Sequence, residues 1–164
     1  MAHINLLFFI FRTVPAKLTA QKFMILEQIT NKFSKNPKRL FLIDGIGAIL
    51  SAFLLGVILV KLEYLFGIPK LTLYSLAAFP VFFALFDFYS YQKDHTKLNT
   101  FLKRIAFMNL LYCILSIGLA VFHYQTITTL GWAYIITEIL IIMILTIIEF
   151  KVSKKLSIHD KRTL

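Results

Sequence analysis

Cysteine is almost absent from this sequence, and the one that occurs, Cys113, lies within a long apolar run. A single cysteine cannot form an internal disulfide, and Cys113 lacks the CxxC or Cys/His spacing of a metal ligand set. The sequence therefore predicts neither thiol redox chemistry nor structural zinc. It also lacks HExxH and GxSxG motifs, so we predict that the protein is not an enzyme and needs no metal or cofactor.

Charged residues are also scarce, at 16% of the 164 residues against 59% hydrophobic residues. With a mean hydropathy of +0.77, this composition is typical of membrane proteins rather than soluble globular ones. The net charge of +10 would suggest a nucleic-acid partner if the basic residues formed a patch on a soluble domain. They lie instead between long apolar runs, so we predict no nucleic-acid partner and a lipid bilayer around the chain.

Four apolar runs are long enough to cross a membrane. A hydrocarbon core about 30 Å thick needs about 20 residues of α-helix at about 1.5 Å per residue. The runs are Leu40 to Val60, Leu71 to Tyr91, Ile105 to Phe122 and Leu130 to Phe150. None alternates apolar and polar residues as the strands of a membrane barrel do. The sequence therefore predicts an all-α fold, a four-helix transmembrane bundle with short connections and a short amphipathic N-terminal segment.

Lysine and arginine predict the orientation of these spans. Residues 1–39 hold seven of them, the second connection holds four and the tail, 151–164, holds five, whereas the other two connections share two. Because basic residues are retained in the cytoplasm, we predict a multi-pass protein of the bacterial plasma (inner) membrane with both termini cytoplasmic. Anionic lipid headgroups would then lie against its cytoplasmic face.

Residues 1–39 are too few to bury a core of their own. Apolar side chains recur there at roughly helical spacing, opposite lysines, at Leu18, Phe23, Leu26, Ile29 and Phe33. This pattern predicts a helix lying on the inner membrane surface, broken by Asn36 and Pro37 before the first span. An alternative is that the natural chain begins at Met24 and that residues 1–23 are an extension.

Polar residues near the cytoplasmic ends of the four runs form a first candidate site. Asp44, Asp87 and Asn109 lie four residues inside their runs, and Glu149 lies one residue from the end of its run. All four are within ~6 Å of the inner boundary, in one layer to which every helix contributes. The layer is either a polar site facing the cytoplasm or a set of interfacial groups paired with nearby lysines and arginines.

Glu138 forms a second candidate site, because it lies eight residues into the fourth run and ~12 Å from the outer end. A charged carboxylate at the bilayer centre costs about 2.5 to 3.5 kcal/mol, and none of the four runs contains a basic residue. Glu138 must therefore face other helices or carry a proton. Ser51 and Ser116 lie at comparable depth and could donate hydrogen bonds. Glu138 is thus a candidate proton or cation site, or else a packing residue.

Small residues line one face of the first run, with Ala48, Ala52 and Gly56 four residues apart. Such a face allows helix backbones to approach closely, either within the bundle or across a possible homodimer interface. The pattern predicts that Gly56→Leu destabilises the protein more than Leu55→Ala does. In the second run, Pro80 removes a helical hydrogen bond and predicts a kink.

The stretch from Arg39 to Tyr91, RLFLIDGIGAILSAFLLGVILV followed by GIPKLTLYSLAAFPVFFALFDFYSY, resembles small four-helix membrane proteins of bacteria. The resemblance implies the four-span fold and no particular activity. Small multidrug transporters also have four spans and act as dimers, but their embedded glutamate lies in the first span, where this sequence has Asp44 near one end. We therefore expect a non-enzymatic structural or accessory bundle. The alternative is a small transporter or proton-coupled carrier that uses intramembrane carboxylates.

Overall fold

The computed structural model describes residues 21, 24–93 and 98–160, and all regular structure in that part of the chain is helical. A short helix, α1, covers residues 24–35. The later helices are α2 (Lys38–Phe53), which continues as a π-helical segment (Leu54–Leu59), α3 (Glu63–Phe66), α4 (Lys70–Gln92), α5 (Leu98–Phe122) and α6 (Thr129–Asp160). The predicted all-α fold is confirmed.

Four helices are long and apolar enough to cross a membrane, namely Lys38–Leu59, Lys70–Gln92, Leu98–Phe122 and Thr129–Ile158. Their number and order agree with the four predicted runs, so the expectation of a four-helix bundle holds. Leu18 and Phe23 of the predicted amphipathic face lie outside the described residues.

Two of the helices extend beyond the apolar runs that predicted them. Helix α5 begins at Leu98, seven residues before Ile105, and α6 continues ten residues past Phe150. Lysine and arginine interrupt an apolar run without interrupting a helix, because both are good helix formers. The apolar face also continues through each extension, where Leu102 and Val152 are fully buried.

The bundle consists of two antiparallel helical hairpins, since α2 packs mainly along α4 and α5 packs mainly along α6. The end that carries the α2–α4 and α5–α6 connections is called the hairpin end. The opposite end carries α1, the start of α5 and the end of α6, and is called the basic end. The two hairpins contact each other less extensively, and the most extensive packing between them is that of α4 against α5. The α2 and α6 faces therefore meet less closely than the helices within each hairpin.

The two connections at the hairpin end are joined by hydrogen bonds. The backbone N–H of Thr128 donates to the Phe66 carbonyl at 3.1 Å, and the Thr128 hydroxyl donates to the Leu65 carbonyl at 2.6 Å. Gly67 ends α3 with φ of 68°, a left-handed conformation that favours glycine. The hairpins are thus tied together through backbone groups.

The place where the two connections meet, around Phe66, Gly67, Thr128 and Gly131, is called the junction. Glycine is also required there because no space is left for a side chain. A Cβ on Gly67 would lie 1.9 Å from the Thr126 carbonyl oxygen, and a Cβ on Gly131 would lie 2.2 Å from the Phe66 carbonyl oxygen. Both obstacles are backbone atoms, which cannot move aside as the end of a flexible side chain can. The hairpin end is therefore closed by tight backbone contact.

At the basic end, α1 packs against the bundle. Its Ile29 and Phe33 contact a buried apolar cluster of Leu40, Phe41, Leu98, Leu102, Ile105, Ile148 and Val152. Lys155 on α6 also donates a hydrogen bond to the Asn31 side chain. The described part of the amphipathic helix thus covers this end of the bundle, and its contact with a membrane surface remains a prediction. The predicted break is present, since Asn36 and Pro37 separate α1 from α2.

Two residues of the predicted small face pack inside the bundle, namely Gly56 of the π-helical segment, which faces α4, and Ala48 of α2. A Cβ added to Gly56 would lie 3.4 Å from the Ala77 Cβ. Ala48 packs against the central cluster, which consists of the buried residues Leu55, Leu59, Ile68, Leu73, Leu76, Ala77, Phe83, Tyr112, Ala120, Ile127 and Ile135. These contacts are those of packing within the bundle. Pro80 is buried in α4, which continues through it from Lys70 to Gln92.

Candidate functional site

Glu138 accepts hydrogen bonds from two other helices. The Ser51 hydroxyl of α2 donates to its Oε1 at 2.6 Å, and the Tyr112 hydroxyl of α5 donates to the same oxygen at 3.2 Å. The side chain is only 8% exposed. Tyr134 lies beside it on α6. The carboxyl group therefore joins the two hairpins near the middle of the spans.

Sequence reasoning found Ser51 but missed Tyr112. Depth alone indicated both Ser51 and Ser116 as hydrogen-bond donors to Glu138. Ser116 lines a second, much smaller cavity together with Glu138. The signal for Tyr112 was available, because it follows Asn109 by three residues and so lies on the same face of α5. Its long side chain reaches a carboxyl group that the shorter hydroxyl of Ser116 does not reach.

The layer near the basic end is brought together as the helical rise predicted. The Asn109 Nδ2 atom donates to Asp44 Oδ1 at 3.2 Å, to Asp44 Oδ2 at 3.1 Å and to Glu149 Oε2 at 3.4 Å. One amide group has two hydrogens. Its donors are therefore divided among three carboxylate oxygens, and the hydrogen bonds are long.

Asp87 completes this cluster without a donor of its own. It is 1% exposed, and among the described residues no amide, hydroxyl or amine group donates to either of its carboxyl oxygens or to Glu149 Oε1. The group within hydrogen-bonding range of the Asp87 carboxyl is the carboxyl of Asp44. Asp87 lies close enough to Asp44 and Glu149 for their charges to interact. Carboxylates only accept hydrogen bonds, so neighbouring carboxyl groups bond to each other only when one carries a proton. The cluster thus has spare acceptors for protons or for a cationic ligand.

A glycine makes room for this arrangement. A Cβ on Gly45 would lie 3.2 Å from the Asp87 Cβ and 3.8 Å from its Oδ2. Because Gly45 has no side chain, α4 brings the Asp87 carboxyl directly against α2. The glycine precedes no turn and has no unusual φ, so its effect here is close approach.

One cavity connects the two candidate sites. It has a volume of about 250 Å³ and is lined by all four long helices, with Asp44 and Asn109 in one part and Ser51, Tyr112 and Glu138 in the other. Ser51 follows Asp44 by seven residues, or ~10 Å along α2. Both carboxyl sites are therefore accessible to the same small ligand or to a chain of water molecules.

The cavity opens sideways between α2 and α6. Its lining includes Leu50, which is 56% exposed, and Ile141, which is 62% exposed, together with the exposed Gly47 and Thr137. These residues lie midway along their spans, on helices that belong to different hairpins. The opening thus faces the surface that hydrocarbon would surround in a membrane.

The chemistry of the site is that of carboxyl groups in an apolar setting. In the described part of the chain, no group of three His, Cys, Asp or Glu side chains is arranged to hold a metal ion. Buried carboxyl groups of this kind can exchange protons or bind an organic or monovalent cation, or they can serve packing alone.

Comparison with known proteins identifies no relative, since neither a protein-family model, nor a curated protein, nor a solved structure matches this chain significantly.

Proposed function

We propose that this protein is a small, non-enzymatic, proton-coupled carrier of the bacterial plasma (inner) membrane. The observation that carries the proposal is the single cavity that joins Glu138 to the Asp44–Asn109 pair inside the four candidate spans. A residue that serves packing alone needs no cavity beside it. Ionisable groups within spans are expensive to bury and commonly mark a path for protons or solutes.

The geometry supports an exchange of a proton for a solute. An ionised Glu138 would be stabilised by the hydroxyls of Ser51 and Tyr112 when the solute is absent. Protonation would remove its charge and release a cationic solute. Asp44 lines the same cavity, and the Asp87 and Glu149 carboxyl groups lie behind it, close enough to interact with it. This cluster has too few donors, so it would take up or supply the proton.

Titration of the full-length protein tests this proposal. Trp132 packs against the central cluster, six residues before Glu138 on α6, and its fluorescence should change between about pH 5 and pH 9 in the wild type. Glu138→Gln keeps the size of the side chain but cannot titrate, so the change should be lost. The titratable groups next to Glu138 are Tyr112 and Cys113 on α5 and Tyr134 on α6.

Glu63→Gln is the matched control, because Glu63 is a partly exposed carboxylate near the hairpin end that pairs with Lys70. It should leave the fluorescence titration as in the wild type. Identical curves for the wild type and Glu138→Gln would refute the proton site at Glu138.

We also propose that the basic end faces the cytoplasm and contacts anionic headgroups through exposed lysines of α1 and α6. Cysteines at Ser34 and Ser157 should then be protected from an impermeant thiol reagent in intact cells, whereas one at the exposed Gln125 should be labelled. Gln125 is chosen rather than the nearby Thr128 because the Thr128 hydroxyl donates the hydrogen bond that joins the two connections. The background Cys113 is 2% exposed. If the cysteines at positions 34 and 157 were labelled and the one at position 125 were not, the orientation would be the opposite of the one proposed.

The second candidate is an accessory bundle that anchors a partner. The observation in its favour is the backbone junction at the hairpin end, which holds the two hairpins together and allows little rearrangement there. An anchor should retain its partner complex in Glu138→Gln, because the mutation changes no exposed surface. A carrier should lose its pH response in the same variant, so the two measurements separate the candidates.

A further inference from the structure

We propose that the cavity between α2 and α6 binds a lipophilic organic cation, of about the size of benzyltrimethylammonium, that enters sideways from the bilayer. This inference names the solute class for the carrier and rests on the function proposed above. Three properties of the cavity support it, namely its size, the chemistry of its walls and the position of its opening.

The size limits the ligand to a small molecule. A protein cavity of about 150 Å³ holds benzene, so the volume of about 250 Å³ here has room for about ten non-hydrogen atoms. Most of the lining is apolar and includes Leu54, Pro80, Phe83 and Ile142. A strongly hydrated ion would lose its water against these walls, whereas an alkyl or benzyl group would be buried favourably.

The charge of the walls selects a cation. Among the described lining residues, Asp44 and Glu138 are acidic and none is basic. Three aromatic rings, Phe83, Tyr112 and Tyr134, line the same cavity, and the first two meet edge to face with ring centroids 6.0 Å apart. Ring faces attract alkylammonium groups, and a nearby carboxylate adds to that attraction. When these carboxyl groups are ionised, a neutral ligand would leave their charges unpaired and an anion would be repelled.

The position of the opening indicates where the cation comes from. Gly47 and Leu50 on α2 and Thr137 and Ile141 on α6 line the cavity and are exposed midway along their spans. The hairpin end is closed by the backbone junction, and the basic end is covered by α1 and its apolar cluster. A solute that reaches this opening must dissolve in the bilayer, which requires apolar groups around its charge.

Equilibrium binding of labelled benzyltrimethylammonium to the full-length protein in neutral-lipid nanodiscs tests the ligand class. Neopentylbenzene is the matched competitor, because a quaternary carbon replaces the charged nitrogen and the shape is retained. We expect the cation to bind and the neutral compound to compete at least about tenfold less well than unlabelled cation. Glu138→Gln should weaken cation binding by about tenfold or more, whereas Glu63→Gln should not. Equal competition by both compounds, or no effect of Glu138→Gln, would overturn the proposal.

The lateral route is tested with two glycines that differ in position. A Cβ at Gly47 or at Gly118 would meet nothing within 4 Å, and both glycines are exposed, but only Gly47 lines the cavity. Gly47→Leu should fill the opening and slow association by about tenfold, while Gly118→Leu should leave the association rate unchanged. Wild-type association in Gly47→Leu would overturn entry between α2 and α6.

The two proposals can fail separately, because benzyltrimethylammonium has no proton to lose. Cation binding without the Trp132 titration would sustain the cation site and refute proton coupling. A Glu138-dependent titration without binding of the cation would sustain proton coupling and refute the ligand class.

Discussion

The hairpin end and the polar interior of this bundle differ in how completely their polar groups are hydrogen-bonded. At the hairpin end, the Phe66 carbonyl accepts from the Thr128 N–H and the Leu65 carbonyl accepts from the Thr128 hydroxyl. In the interior, Asp87 is almost fully buried, and in the described chain its carboxyl group lies against the Asp44 carboxyl with no amide, hydroxyl or amine group donating to it. One region is satisfied and tightly packed, while the other has spare acceptors beside an open cavity.

This contrast separates structural from functional candidates. A buried group that lacks its partner costs about 1 to 3 kcal/mol, and more when it is charged. Such a cost persists when the surrounding fold supplies enough stability and when the group is useful for binding or proton transfer. The junction at the hairpin end therefore stabilises the fold, and this stability offsets the cost of burying the carboxyl cluster.

The largest loss of stability should follow from a methyl group at the junction. In Gly131→Ala, the new Cβ would lie 2.2 Å from a backbone oxygen, so the two hairpins must separate locally. We expect a loss of about 4 kcal/mol in the free energy of unfolding, measured by denaturant titration in detergent. Gly118→Ala is the control, since its Cβ has open space, and it should be neutral or stabilising. If the two variants had similar stabilities, the tight packing at the junction would not contribute to the stability of the protein.

Leu55→Ala should come second, with a loss of about 2 to 3 kcal/mol from the cavity it creates. Leu55 is 1% exposed in the central cluster. Gly56→Leu should cost less, about 1 to 2 kcal/mol, because the added side chain begins at 3.4 Å from Ala77 and has exposed surface nearby. This order reverses the one expected from the small face alone. Thermal unfolding of the two variants in one detergent decides between them.

Changes in the carboxyl cluster should have opposite signs. Asn109→Asp removes the amide that donates to Asp44 and Glu149, and it should lower stability by about 2 kcal/mol. Asp87→Asn supplies donors to neighbouring acceptors and removes one acid, so it should raise stability by about 1 kcal/mol. Differential scanning calorimetry of both variants at neutral pH measures these changes in stability. A destabilised Asp87→Asn would show that the Asp87 carboxyl is already satisfied.

Glu63→Gln should have the smallest effect. The Glu63 and Lys70 side chains are 40% and 59% exposed, with 3.4 Å between the paired atoms. Exposed ion pairs contribute about 0 to 1 kcal/mol because water screens them, so the change in unfolding free energy should stay below about 0.5 kcal/mol. The same replacement at Glu138 changes a buried group that bridges the hairpins. A larger effect at Glu63 than at Glu138 would contradict the contrast between exposed and buried carboxylates.

Much of the candidate site could be predicted because a helix converts residue number into depth at a constant rise. Asp44, Asp87, Asn109 and Glu149 come together as one layer for this reason, and Ser51 meets Glu138 for the same reason. Depth does not specify rotation about each helix axis or the reach of a side chain. Spacing places Tyr112 on the face of α5 that carries Asn109, but its contact with Glu138 and the lateral opening could not be obtained from spacing.

The sequence by itself determined the helical class, the number of apolar spans and the depth of each polar residue. In hydrocarbon, backbone groups must be satisfied within a helix or a closed barrel, and these apolar runs are compatible with the helix alone. Only the tertiary structure decided how α5 and α6 continue past their apolar runs, because buried contacts with α1 and α2 stabilise those turns. It also decided that the carboxyl sites share one cavity, since packing within each hairpin is close while the α2 and α6 faces remain apart.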